Sequence, residues 1–134
     1  MSFSHSVFAY GTLQIPEVMK LATGLVLPSF PARLKGYECL KIKSRTYPGI
    51  IKKPNQFIGG ILYKEVSDHA LKLLDQFEDV LYERSLVDIE GETEQAFVYI
   101  IKDEYRYRLS DEAWSLEEFK RKYLNKYLKD INSW

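Results

Sequence analysis

Two short stretches of this sequence carry residues whose types and spacing could do chemistry. The first is DHALKLLDQFED, residues 68–79. At about 100° per residue, Leu71, Leu74 and Glu78 fall within a sector of roughly 60°, with Phe77 and Ala70 flanking it. A helix running through the whole stretch turns Glu78 toward the core. A carboxyl group there loses hydration, so its pKa rises and it can exchange a proton near neutral pH. The alternative is a helix that stops before Glu78 and leaves it at the rim, in water. The second stretch is Tyr10-Gly11-Thr12-Leu13. Glycine at a strand end lets a ligand approach the backbone, and the amides of a following helix start favour an anionic or carbonyl oxygen. Its plainer reading is a tight turn. It lacks the lysine and glycines of a nucleotide-binding P-loop and the full G-x-G-x-x-G spacing.

Other chemistry-bearing residues are poorly placed. No Ser or Cys sits in a G-x-S-x-G or Cys–His setting, which leaves a covalent acyl-enzyme without support. His5 and His69 stand apart, and no Cys/His cluster could hold zinc. Cys39, the single cysteine, lies in YECLKIK and reads as a small apolar residue of a strand. Lys120, Arg121, Lys122, Lys126 and Lys129 alternate with apolar positions and read as a solvated helix face.

The elements that must position these residues follow from the pattern. Residues 6–10, SVFAY, read as a strand buried on both faces. Pro16 suits the first position of a short helix that Gly24 would end. Residues 32–43 suggest one or two strands, and Pro48, Gly49 and Pro54 mark a loop in SRTYPGIIKKPN. FIGGILYKEV reads as another strand, its Gly59-Gly60 pair signalling a bulge or a close backbone approach. A helix is predicted from Ser67 or Asp68 to Phe77 or Glu78. Residues 83–89 and 95–102 should pair as a hairpin across EGET. The spacing of Leu116, Phe119, Tyr123, Tyr127, Leu128 and Ile131, with Ser115 and Glu118 as a capping box, predicts one helix over about 115–131. Hairpins mixed with helical crossovers predict an α+β fold, a small mixed-direction β-barrel with a few flanking helices.

Composition narrows the function classes. At 134 residues the chain suits a single domain, 1–134. Nineteen basic and nineteen acidic residues cancel, so no general field draws a nucleic acid. No apolar run approaches the roughly 18–20 residues of a membrane span. The N-terminal residues lack the pattern of a signal peptide, and Ser2 is not the glycine that myristoylation needs. With one cysteine and no disulfide possible within the chain, the cytoplasm is the expected location. Ten Tyr and seven Phe suit a sheet-rich core with a partly wet pocket.

VFAYGTL, RTYPGI and LDQFEDVLYERSLV, in this order and at these separations, resemble the gamma-glutamylcyclotransferase-like family. The tail WSLEEFKRKYLNKYL is similar to that of its plant avirulence-induced type. The resemblance implies a compact mixed-direction barrel and a small gamma-glutamyl substrate, with no metal or organic cofactor, no nucleic acid and no membrane. It implies that Tyr10, Gly11, Thr12 and Leu13 hold the gamma-glutamyl group, that Tyr47 and Tyr82 border the pocket, and that Glu78 carries the proton. The substrate's own α-amine would then attack its γ-carbonyl, giving 5-oxoproline and a free amine. One departure is Asp79, where the family often has glycine; a side chain there could narrow the pocket or change which amines leave. Two rivals use the same fold: a pocket protein that binds without catalysis, and acyl transfer to an external nucleophile. Only cyclotransfer releases 5-oxoproline.

Overall fold

The computed structural model describes residues 4–132, with side chains through residue 130. Six strands form one sheet: β1 (Ser4–Ala9), β2 (Ser29–Ile42), β3 (Pro48–Ser67), β4 (Tyr82–Val87), β5 (Ala96–Ile101) and β6 (Leu109–Ala113). Helices α1 (Pro16–Thr23), α2 (Asp68–Phe77), α3 (Leu116–Lys122) and α4 (Leu124–Asn132) complete the fold. The strand order is β4-β5-β1-β3-β2-β6, parallel between β1 and β5 and antiparallel elsewhere. This is the expected mixed α+β architecture, but the barrel is not closed. A 3-10 stretch, Asp103–Arg108, lies between β5 and β6. Backbone bonds from Lys102 N to Leu81 O and from Lys43 N to Arg108 O flank this stretch, and β4 and β6 remain unpaired edges. Among the described residues, no helix is long and apolar enough to cross a membrane.

Strand β1 positions the site because both its faces are buried. Val7 and Ala9 pack with Val18, Met19, Leu71, Leu74 and Phe119, whereas Phe8 and Tyr10 pack with Leu34, Ile50, Leu62 and Val98. The two-residue period thus sends alternate side chains into two different clusters. At Gly60 on β3 a Cβ would stand 2.3 Å from Ala9 O, so only glycine allows this approach of β3 to β1. Gly59-Gly60 therefore marks a close approach, not a bulge.

Two other expectations need correction. The predicted loop at Pro48–Pro54 is largely strand: β3 begins at Pro48 and pairs with β2 through Lys52. Pro48 occupies the first strand position, and Pro54 falls where the ladder breaks between Lys35 and Tyr37, beside Gly36 (φ 84°) and Asn55 (φ 67°). Both are places where a sheet tolerates a missing N–H. The single C-terminal helix is two helices, broken at Tyr123 (φ −126°, ψ −18°). Eight residues of straight helix would set Phe119 and Tyr127 about 12 Å apart along the axis. The break brings their rings edge to face at 5.4 Å. Ile131, also expected on the apolar side, lies outside the residues whose side chains are described.

Candidate active site

Beyond Ala9 the chain leaves β1 through Tyr10 and Gly11 into a one-turn 3-10 helix, Thr12–Gln14, followed by α1. Gln14 fixes this turn: its Nε2 donates to Tyr10 O (2.7 Å) and to Gly11 O (3.2 Å), and its N–H donates to Gly11 O (3.1 Å). The N–H groups of Thr12 and Leu13, at the start of a helical turn, have no intrahelical acceptor. Gly11 is pressed against the Pro48 ring, where a Cβ would come within 3.1 Å of Cδ. The phenol of Tyr10 is buried and donates to Tyr99 O at 2.5 Å.

Helix α2 starts with Ser67 Oγ accepting from Ala70 N, and it buries Ala70, Leu71 and Leu74. It ends at Phe77, so Glu78 is not a helical residue. Neither sequence reading describes it fully. The extended backbone of Glu78 (φ −71°, ψ 147°) caps the helix through N–H donation to Leu74 O and delivers the carboxyl into a cavity. Although the residue as a whole is only half-buried, its carboxyl accepts no hydrogen bond and forms no ion pair among the described residues. Burial, reinforced by the charges of Asp79 and Asp75, raises its pKa from 4.5 to about 8.

The cavity has a volume of about 540 Å³. All seven residues singled out in the sequence (Tyr10, Gly11, Thr12, Leu13, Tyr47, Glu78 and Tyr82) line it. So do Tyr99 from β5 and Tyr127 from α4, neither of which the sequence singled out as a site residue. Each of the five tyrosine hydroxyls has a protein partner. Tyr82 donates to Pro48 O, Tyr47 to Asp79, and Tyr99 to Asp75 at 2.7 Å, while Tyr127 and Thr12 Oγ1 share a bond of 3.3 Å. Burial drives the Tyr10 and Tyr82 phenols far above their usual range and that of Tyr127 to about 12, so all three stay protonated at physiological pH. The available signal for Tyr99 and Tyr127 was their polar tip at an otherwise apolar position, since a buried phenol needs a partner.

Asp79, one residue on, has the opposite environment. Burial alone would raise its pKa, but hydrogen bonds from Tyr47, Leu81 N and Arg45, with the Arg45 charge, outweigh it and hold the carboxyl below its ordinary value. Among the described residues no three His, Cys, Asp or Glu side chains gather to hold a metal ion. The arrangement sets one carboxyl that has no hydrogen-bond partner among the described residues, and a raised pKa, among tyrosine hydroxyls bonded to protein.

The profile of the family described as gamma-glutamyl cyclotransferase, AIG2-like, matches residues 7–116. The chain belongs to this family. AIG2-like protein C of Arabidopsis thaliana is 33% identical over 122 residues, covering 88% of this chain and 70% of that one. The solution structure of an Arabidopsis thaliana protein superimposes with a TM-score of 0.73 at 27% identity, covering 98% of this chain and 81% of that one. A structure titled gamma-glutamyl cyclotransferase shares the fold at a TM-score of 0.68 and 19% identity, covering 97% of this chain and 87% of that one. The family match includes every cavity residue from Phe8 to Tyr99 and stops short of Tyr127 and Asp130. In this AIG2-like chain, therefore, α4 completes the cavity from outside the matched region.

Proposed function

We propose that this AIG2-like protein is a gamma-glutamyl cyclotransferase in which Glu78 is the general acid and base. The observation that carries the reading is the Glu78 carboxyl: it faces the cavity, has no protein partner among the described residues, and has a pKa raised to about 8. An ideal proton carrier has its pKa near the working pH. In the reaction, the neutral α-amine of the substrate attacks its own γ-carbonyl carbon and closes a five-membered ring. The Glu78 carboxylate takes a proton from the attacking nitrogen and returns one to the departing nitrogen as the old C–N bond breaks. Atoms and charge balance, giving 5-oxoproline and an amine.

Holding the substrate folded, with amine against carbonyl, supplies much of the remaining rate. The open N–H groups of Thr12 and Leu13 suit the oxygen on which negative charge develops. The tyrosine walls provide apolar area while their hydroxyls remain committed to protein acceptors. The free thiol of Cys39, pushed up to about 12 by burial, fits a reducing cytoplasmic setting and takes no part in the chemistry.

The test is incubation of the protein with a panel of gamma-glutamyl peptides, amino acids and amines, following 5-oxoproline by mass. Release from at least one compound is expected. Binding without release would favour a non-catalytic pocket protein, and a gamma-glutamyl adduct of an added amine without 5-oxoproline would mean transfer to an external nucleophile.

A further inference from the structure

The segment between β2 and β3 supplies one wall of the cavity through Ser44, Arg45, Thr46 and Tyr47, followed by Pro48. It is tied down from three elements. Trp114 Nε1 donates to Thr46 O at 2.8 Å, the Tyr82 hydroxyl donates to Pro48 O, and Asp79 holds the side chains of Arg45 and Tyr47. Asp79 uses both its oxygens. Oδ1 accepts from Leu81 N at 3.0 Å, fixing the turn after α2, while Oδ2 accepts from the Tyr47 hydroxyl and from Arg45 Nε at 3.1 Å. Its side chain is only 15% exposed.

We propose that Asp79 is a positioning residue of this site, clamping the Arg45–Tyr47 wall to the turn that carries Glu78 and keeping a fixed negative charge beside the Glu78 carboxyl. Its role in turnover rests on the cyclotransferase reading; the clamp and the charge do not.

The surroundings of Glu78 leave Asp79 this role. From its own segment it faces Asp75 and Asp79, and of these two charges Asp79 has the larger effect on it. From β4, β5 and the turn after β1 it meets tyrosine hydroxyls that remain neutral, and α4 brings the Tyr127 hydroxyl and Asp130 to the same cavity. The nearby cations are engaged elsewhere: Arg45 with Asp79 and Ser44 O, and Arg84 with Asp75 at 3.4 Å. Two adjacent carboxyls whose environments push them apart, one ionised and one holding its proton, are a recurrent acid–base arrangement. An asparagine at 79 could satisfy the Leu81 N–H or the Arg45–Tyr47 pair, but not both, because its amide nitrogen accepts nothing.

The test follows the Glu78 carboxyl by carbon-detected NMR through a pH titration, with backbone amide exchange at 44–47, in wild type, Asp79→Asn and Tyr47→Phe. In Asp79→Asn the Glu78 midpoint should fall by about one pH unit or more, because a nearby negative charge disfavours the ionised carboxylate. Exchange at 44–47 should quicken about tenfold or more, as expected when a clamp worth a charged hydrogen bond is lost. Tyr47→Phe removes one clamp bond and keeps the charge, so exchange should quicken while the midpoint moves less than in Asp79→Asn. An unchanged midpoint or unchanged exchange in Asp79→Asn overturns the proposal, as does unchanged exchange in Tyr47→Phe. Neither readout requires turnover, so a protein that releases no 5-oxoproline leaves this test intact while refuting the catalytic reading.

Discussion

The two sides of the cavity meet at consecutive residues. On the Asp79 side, the carboxylate accepts from Tyr47, Arg45 and Leu81, and its pKa is held below the usual range. On the Glu78 side, the carboxyl accepts from no described residue, and its pKa rises to about 8. The backbone explains how adjacent groups come to differ so much. Asp79 opens the turn that leads into β4 and faces the β2–β3 loop, whereas Glu78 is the last cap of α2 and opens into the tyrosine-lined space. Satisfaction by neighbours makes one carboxyl structural. The lack of it leaves the other available to a ligand. The same contrast separates the cavity's tyrosines from Glu78: each phenol is already paired with protein, whereas the carboxyl has no hydrogen-bond partner among the described residues.

The comparison predicts a steep hierarchy of substitutions. Glu78→Gln keeps shape and removes the proton carrier, so turnover to 5-oxoproline should drop by roughly 10²–10⁴, the usual general acid–base contribution. Steady-state kinetics on a compound accepted by the wild type would measure it, with retained ligand binding showing that the pocket survives. Gly11→Val comes next. Its Cβ would crowd Pro48 at 3.1 Å and its branches would narrow the turn beside the cavity, so KM should rise about tenfold, an obstruction penalty comparable to modest overpacking, with kcat changed less.

Stability should sharpen the contrast from another direction. A carboxyl whose folded pKa exceeds its unfolded value binds more protons in the folded state, so its stabilising contribution is complete below about pH 4.5 and is lost as pH rises toward about 8. Thermal melts of Glu78→Gln and wild type should therefore diverge in the variant's favour between these limits, because the amide cannot ionise. Asp79→Asn should show the opposite tendency, since a depressed pKa means stability present at neutral pH and lost on acidification. The smallest effect belongs to Cys39, half-buried on β2 and packed against the Phe8 cluster. Cys39→Ala should keep activity within about twofold and cost on the order of 1 kcal/mol in denaturant unfolding.

Much of this arrangement was legible in the sequence, and the exceptions share a cause. The strand, glycine turn and helix from Ser6 to Gly24 depend on local signals, as does the hairpin pairing Val87 with Ala96. The length of β3 was hidden because its prolines are acceptable only at the particular ladder positions supplied by β2. The break at Tyr123 was hidden for a similar reason: helical periodicity cannot register that Phe119 and Tyr127 must reach one cluster. Tyr127 fell on the apolar side of the predicted helix and Tyr99 within a strand of the predicted hairpin, and only their hydroxyls reveal the cavity. Glu78 is the most instructive case. Its inward direction was inferred from a helical phase that ends one residue too early, and the extended cap brings the carboxyl inward by another route.

The most direct test of the central claim is the pH dependence of kcat/KM for 5-oxoproline release by wild type and Glu78→Gln, measured on the same gamma-glutamyl compound. This quantity reports the ionisation of essential groups in the free enzyme and the free substrate. The wild-type rate should climb with pH through a midpoint near 8, as the Glu78 carboxylate forms. In Glu78→Gln this contribution should be lost, leaving only the rise set by the substrate's own α-amine and a far lower residual rate. A Glu78→Gln protein that forms 5-oxoproline at the wild-type rate, with the same pH dependence, would contradict the claim.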